Sequence, residues 1–183
     1  MKTRKTLVVC GIPRSGTSMV AGILRCLGFD MGDRIKPDKH EDLDILFKPR
    51  NLVVEVIKHR NKTKELWGFK TPWIGDMIHL VGYHFINPKY IYIKRNKKDA
   101  IRSDLIRNPK SNKPYIEKRN RLLTESLECF LENIDHLQID YDKVIGDPYS
   151  YVMKIVDFIG EPVTNKDIQR AVKFIQPGGY RTI

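Results

Sequence analysis

The sequence predicts an α/β fold in which a central parallel sheet is flanked by helices, and three observations carry this. The run Leu7-Val8-Val9-Cys10 is apolar, β-branched and short, as a strand buried on both faces must be. It passes through a loop with two glycines, residues 11–16, into a helical stripe at Met19, Val20, Ile23, Leu24 and Leu27. Strand and helix patterns then alternate to the C-terminus, as a parallel sheet with helical crossovers requires.

After the first helix, Gly28 and Gly32 supply a stop, and residues 30–39 are polar and irregular. Leu43, Ile45, Leu46 and Phe47 precede Pro49, and Leu52, Val53, Val56 and Ile57 predict a helix. That helix ends in a basic run over 59–64, read as a solvated helix end. Leu66-Trp67-Gly68-Phe69-Lys70 is a short strand that delivers Lys70 to a loop closed by Pro72. Trp73, Met77, Leu80, Val81 and Phe85 stand at helical spacing over 73–85.

Tyr90-Ile91-Tyr92-Ile93 is the second clear strand, followed by a helix through Ala100, Ile101 and Leu105. Residues 108–114 form a loop, and 115–134 a long helix with Leu122, Leu123, Leu127, Phe130, Leu131 and Ile134 on one face. Residues 137–141 are a further strand, Pro148 opens a helix that Gly160 stops, and 166–175 form the last helix. No repeat or linker divides the chain, so residues 1–183 are expected to form one domain. In such sheets ligands lie at the carboxyl ends of the strands. Residues 11–18, Lys70, Arg95 and Tyr141 are therefore expected on one rim.

The 33 basic and 22 acidic residues give a net charge of +11, which favours an anionic ligand or substrate. The basic residues are spread along the chain without interleaved stacking aromatics, so specific nucleic-acid binding is not expected. Cys10, Cys26 and Cys129 are odd in number and lack metal-ligand spacing, which suits a reducing compartment. The N-terminal apolar run is too short for a signal peptide and no later run suits a membrane span, so a cytoplasmic location is expected.

The loop at 11–16 is nearly the G-x-x-x-x-G-K-[ST] phosphate loop, with Ser18 at the hydroxyl position but Thr17 at the lysine position. A nucleotide triphosphatase without that lysine lacks the cation for its terminal phosphates. Here a cation stands inside the loop instead, as Arg14. Strand, glycine loop and helix together aim backbone N–H groups and a helix N-terminus at an anion.

Pro13-Arg14-Ser15-Gly16-Thr17-Ser18 resembles the P-[KR]-S-G-T-[ST] loop of the sulfotransferases, which use 3′-phosphoadenosine 5′-phosphosulfate (PAPS) as sulfonate donor. Its arginine form is most similar to the bacterial and tyrosylprotein-type branch. Arg95 and Ser103, eight apart, resemble the family's 3′-phosphate motif R-[DN]-P-x-D-x-x-x-S, with Lys97 in place of the proline. Arg107, twelve after Arg95, falls where the tyrosylprotein branch places another basic contact.

The resemblance implies a P-loop-like three-layer fold. It also implies donor binding by Arg14, Ser15, Gly16, Thr17, Ser18, Arg95, Ser103, Arg107 and Tyr141, with no metal. Phe69-Lys70-Thr71-Pro72 resembles the K-D-P or K-T-P turn, whose lysine stabilises the sulfonate in flight beside the loop arginine, here Arg14. Glu41, in His40-Glu41-Asp42, resembles the glutamate of the G-x-x-E-D segment and so implies a general base, with Asp38 or Lys39 standing near the place of the glycine. Glu41 reads equally as a carboxylate at a helix N-terminus, and His40 is the alternative base.

Ile139-Asp140-Tyr141-Asp142-Lys143-Val144 with Asp147-Pro148 resembles the [RY]-Y-E-x-L…P segment, where the tyrosine approaches the nucleotide; a buried structural tyrosine is the other reading. Gly178-Gly179-Tyr180-Arg181 is what remains of the family's C-terminal K-G-x-x-G-x-W-K loop. The acceptor implied is a hydroxyl or amine on a carbohydrate, peptide or small molecule, and the segments over 30–64 and 108–118 carry no signature that selects it. The alternative is a non-Walker P-loop nucleotide-binding phosphotransferase, for which Asp76 or Asp99 would have to serve Mg²⁺.

Overall fold

A computed structural model describes residues 4–32, 34–36, 40–46 and 48–175. The chain opens with strand β1, Lys5–Cys10, and helix α1, Thr17–Cys26. Two-residue strands β2, Ile35–Lys36, and β3, Glu41–Asp42, pair antiparallel and lead into the short helix α2, Leu43–Leu46. Helix α3, Arg50–Thr63, is followed by strand β4, Leu66–Lys70. A broken helical stretch containing α4, Ile78–Val81, then leads to strand β5, Pro88–Lys94. Helices α5, Lys97–Arg107, and α6, Lys113–Leu131, precede strand β6, His136–Asp140. Helices α7, Tyr141–Gly146, α8, Pro148–Ile159, and α9, Asn165–Phe174, complete the described chain.

The four longer strands form a parallel sheet in the order β4-β1-β5-β6, as the alternation of strands and helices predicted. Successive strand residues point to opposite faces, so each strand supplies two layers. Leu7, Val9, Ile91, Ile93 and Ile139 pack under α1, α8 and α9. Val8, Cys10, Trp67, Phe69, Tyr90 and Tyr92 pack under α3, α4 and α6. Helices on both faces make the continuous apolar runs of β1 and β5 necessary. Cys10 behaves as the small hydrophobe its position suggests, and burial pushes its thiol well above the usual range.

Four expectations are corrected. The helix expected over 73–85 is broken into a 3₁₀ turn Ile74–Asp76, α4, and a second 3₁₀ turn Gly82–His84. The break has a packing cause. Ser126 Oγ donates to the Gly75 carbonyl at 2.6 Å and Tyr90 Oη to the Gly82 carbonyl at 3.2 Å, diverting both from a helical ladder. A Cβ at Gly75 would stand 2.9 Å from the Leu123 carbonyl oxygen and one at Gly82 2.4 Å from Phe130, so α6 presses on both.

Tyr141 does not end a strand. β6 stops at Asp140, whose carboxylate accepts from the Asp142 N–H at 3.1 Å and starts α7 with Tyr141 as its first residue. The polar segment 30–39 is not wholly irregular, since Ile35–Lys36 pairs with Glu41–Asp42. The basic end of α3 is not simply solvated, because Arg60 is 2% exposed and Asn61 is also buried. Asp38, Lys39, Phe47 and the tail Gly178-Gly179-Tyr180-Arg181 lie outside the described residues.

Candidate active site

The loop between β1 and α1 follows from two residues held in left-handed backbone conformations, Arg14 with φ 69° and Gly16 with φ 107°. Gly16 caps α1 through its carbonyl, which accepts from the Met19 N–H at 2.9 Å, and no side chain caps the helix. No side-chain acceptor therefore takes up the N–H groups of Thr17 and Ser18 as a cap, at the start of the helix beside the loop. Only glycine fits position 16, where a Cβ would meet the Tyr141 ring at 2.4 Å as well as strain the backbone. Ser15 is fully buried in the loop, and its Oγ has no hydrogen-bond partner among the described residues.

Across the rim, Arg95 leaves the end of β5 and lies 4.3 Å from the centroid of the Tyr141 ring. One guanidinium nitrogen donates to the Arg14 carbonyl at 3.2 Å, while Nε is buried with no hydrogen-bond partner among the described residues. Arg14 Nε in turn donates to Ser103 Oγ at 3.0 Å. Four residues from four elements thus form one contact chain. Arg14, Arg95 and Ser103 border a cleft of about 810 Å³, which Asp99, Arg102, Ile106 and Arg107 also line.

The α5 residues in that lining recur at helical spacing and present one face. Lys97, where the family's motif has proline, does not disturb the helix start. Asn96 Oδ1 accepts from the Lys98 N–H at 2.9 Å and caps α5 in its place. Arg102 was not singled out in the sequence, although its position beside Ser103 on this face was the available signal. Asp99 is a wall of this cleft, whereas Asp76 ends a 3₁₀ turn before α4.

Lys70 ends β4 beside Val9 of β1 and is almost fully buried. Its Nζ lies 3.0 Å from Glu41 Oε1 and 3.2 Å from Ser18 Oγ in the first turn of α1. Glu41 is 6% exposed and belongs to β3, so the ion pair joins the ribbon to the sheet. His40 takes a different direction. An Arg25 guanidinium nitrogen lies 2.9 Å from its Nδ1, and its ring meets the Phe174 ring edge-on at 5.6 Å. Glu41, not His40, is therefore the neighbour of Lys70.

The expected site residues gather in two clusters on one rim. Arg14, Arg95, Ser103 and Tyr141 make the first, with Arg107 in the same cleft. Lys70, Glu41 and Ser18 make the second, and the β1–α1 loop runs between them. Tyr141 is half-buried, packed against the core on one side and under Arg95 on the other. The groups present fit a bisphosphorylated nucleotide. A glycine-formed loop with the hydroxyls of Ser15, Thr17 and Ser18 can cradle one phosphate, and an arginine cleft holding an unsatisfied buried Nε can take another. Among the Arg–Asp contacts that were not foreseen are two with largely buried partners, Arg60 with Asp42 and Arg119 with Asp104, the latter at 2.6 Å.

The sulfotransferase domain model matches residues 4–176. The sulfotransferase domain from the Synechococcus PCC 7002 olefin synthase shares the fold with a TM-score of 0.64 at 16% identity, covering 98% of this chain and 83% of that one. The mouse sulfotransferase SULT7A1 complexed with PAP gives 0.62 at 16% identity over 96% of this chain and 64% of that one. STF9 from Mycobacterium avium gives 0.63 at 14% identity, over 96% of this chain and 68% of that one. The chain therefore spans about two thirds of the last two. No curated protein matches the sequence. With a family match across nearly the whole chain, the chain belongs to the sulfotransferases, enzymes that transfer sulfonate from PAPS.

Proposed function

We propose that Arg95, Ser103, Arg102 and Arg107 hold the 3′-phosphate of PAPS, and that residues 14–18 hold its 5′-phosphosulfate. The observation that carries this is the Arg14–Ser103 hydrogen bond at 3.0 Å, which makes the two anion sites neighbours at a spacing one nucleotide can bridge. Arginine forks and backbone N–H groups suit phosphate oxygens, and the helix N-terminus adds a favourable dipole.

In the transfer, an acceptor oxygen or nitrogen forms a bond to sulfur while the bond from sulfur to the 5′-phosphate oxygen breaks. The electron pair of the broken bond stays on that phosphate oxygen, so 3′-phosphoadenosine 5′-phosphate (PAP) departs with an added negative charge. Lys70 and Arg14 stand beside the loop where that charge develops, and their cations stabilise it more in the transition state than in the ground state. Glu41 receives the acceptor's proton. Its contact with Lys70 puts base and cation at one point, which is what coupled proton removal and oxyanion stabilisation need.

The acceptor is proposed to be an acidic carbohydrate or peptide bearing a hydroxyl or amine, supported by the net charge of +11. Incubating the protein with radiolabelled PAPS and a panel of neutral and acidic acceptors tests the reading. Label should appear on an acidic hydroxyl or amine acceptor. Turnover of ATP with Mg²⁺, and no consumption of PAPS with any acceptor, would instead favour the phosphotransferase reading.

A further inference from the structure

Glu41 and its neighbour Asp42 are consecutive in β3, so their side chains leave the strand on opposite sides. Each is buried and each meets a buried cation. Glu41 pairs with Lys70, and Asp42 pairs with Arg60 near the end of α3. Arg60 also reaches Asp44 at 3.9 Å, and its guanidinium lies 5.4 Å from the Trp67 ring centroid.

These contacts close a ring. It starts at Trp67 on β4, passes through Arg60, Asp42 and Glu41, and returns to β4 at Lys70. The next residue of α3 fastens the same corner. Asn61 Oδ1 accepts from Trp67 Nε1 at 3.2 Å, and its amide donates to the His84 carbonyl at 2.7 Å. Asp42 has a second tie, accepting from the Asp44 N–H at 2.9 Å at the start of α2.

A two-residue strand pair cannot hold its own register. A one-residue slip would turn Glu41 away from Lys70 and put Asp42 in its place. Buried ion pairs add little net stability, because desolvation offsets their attraction, and setting register is their best-attested use. We infer that Arg60 is a positioning residue which, through Asp42, holds β3 so that Glu41 faces Lys70. The inference rests on the proposed role of Glu41 as base.

The test compares Arg60→Met, Arg60→Lys, Asp42→Asn and Glu41→Gln, alone and with Arg60→Met added to Glu41→Gln. Turnover and PAP affinity are measured for each. Loss of alignment should lower kcat by about 10–10²-fold in Arg60→Met, with PAP affinity nearly unchanged. Arg60→Lys keeps the charge and should recover part of that loss. If Arg60 acts through Glu41, adding Arg60→Met to Glu41→Gln should lower kcat little further.

An equal kcat loss in both backgrounds, or normal turnover in a folded Arg60→Met protein, overturns the inference. If Arg60→Met does not fold, Asp42→Asn, which keeps volume and removes the charge, carries the same comparison. Normal turnover in Glu41→Gln would instead remove the base assignment itself, a failure distinct from that of Arg60.

Discussion

Arg14 Nε donates to Ser103 Oγ at 3.0 Å across 89 positions of sequence, joining the β1–α1 loop to α5. The bond ties a loop arginine to a helix, so the two proposed anion sites keep one spacing. Ser103→Ala should remove this tie to Arg14 and weaken PAP binding by roughly 10-fold, within the range of one hydrogen bond to a charged group. Calorimetric titration with PAP measures it, and Ser103→Thr should restore most of the affinity.

Gly16→Ala tests the loop itself. Alanine would be strained at φ 107°, and its Cβ would meet the Tyr141 ring at 2.4 Å. The left-handed backbone alone costs about 1–2 kcal/mol. PAP affinity should fall by more than 10-fold, and the melting temperature should drop as Tyr141 is displaced.

Lys70→Met separates chemistry from folding. It removes the cation proposed to stabilise the departing oxygen, so kcat should fall by about 10²–10³-fold, as for other stabilisers of developing charge. It also leaves Glu41 buried without this ion pair, and broken buried pairs cost about 3–5 kcal/mol. Adding Glu41→Gln should recover stability but not turnover, which thermal melts and single-turnover assays would resolve.

The acid limb of stability should involve α9, whose packing against α1 supports the back of the phosphate loop. The Thr164 hydroxyl holds the Asp167 carboxyl below its usual range in a capping box, with further support from Arg170 and Lys166. Because the folded value is depressed, its stabilisation is present above the unfolded carboxylate value, near pH 4, and fades as pH falls through the folded value. Asp167→Asn should lower the melting temperature at pH 7. The difference from the unmodified protein should shrink once pH falls below the carboxylate range.

The placement of the loop over 11–16, Arg95 and Ser103 was legible in the sequence because it is local. A strand end, a short turn and a helix start position each group, and parallel strands bring the turns to one rim. Arg60 was misread because charge was weighed above position. With Val53 and Ile57 it falls on the buried face at helical spacing, but its partner Asp42 is distant in sequence and carries no periodic signal. The ribbon of β2 and β3 was missed for a related reason. Two residues show no period, and its register depends on tertiary ion pairs. The broken stretch over 73–85 kept a helical pattern of apolar residues, while the donors that divert its carbonyls come from β5 and α6.

The donor assignment is tested most directly by titrating the protein calorimetrically with PAP and, separately, with adenosine 5′-phosphate. The two nucleotides differ only in the 3′-phosphate assigned to Arg95 and Ser103. Loss of two or so charge-assisted contacts, each worth about 1.5–3 kcal/mol, should weaken binding by at least 10²-fold. Arg95→Ala should remove most of that preference while leaving adenosine 5′-phosphate affinity little changed. Equal affinity for the two nucleotides in the unmodified protein would contradict the account.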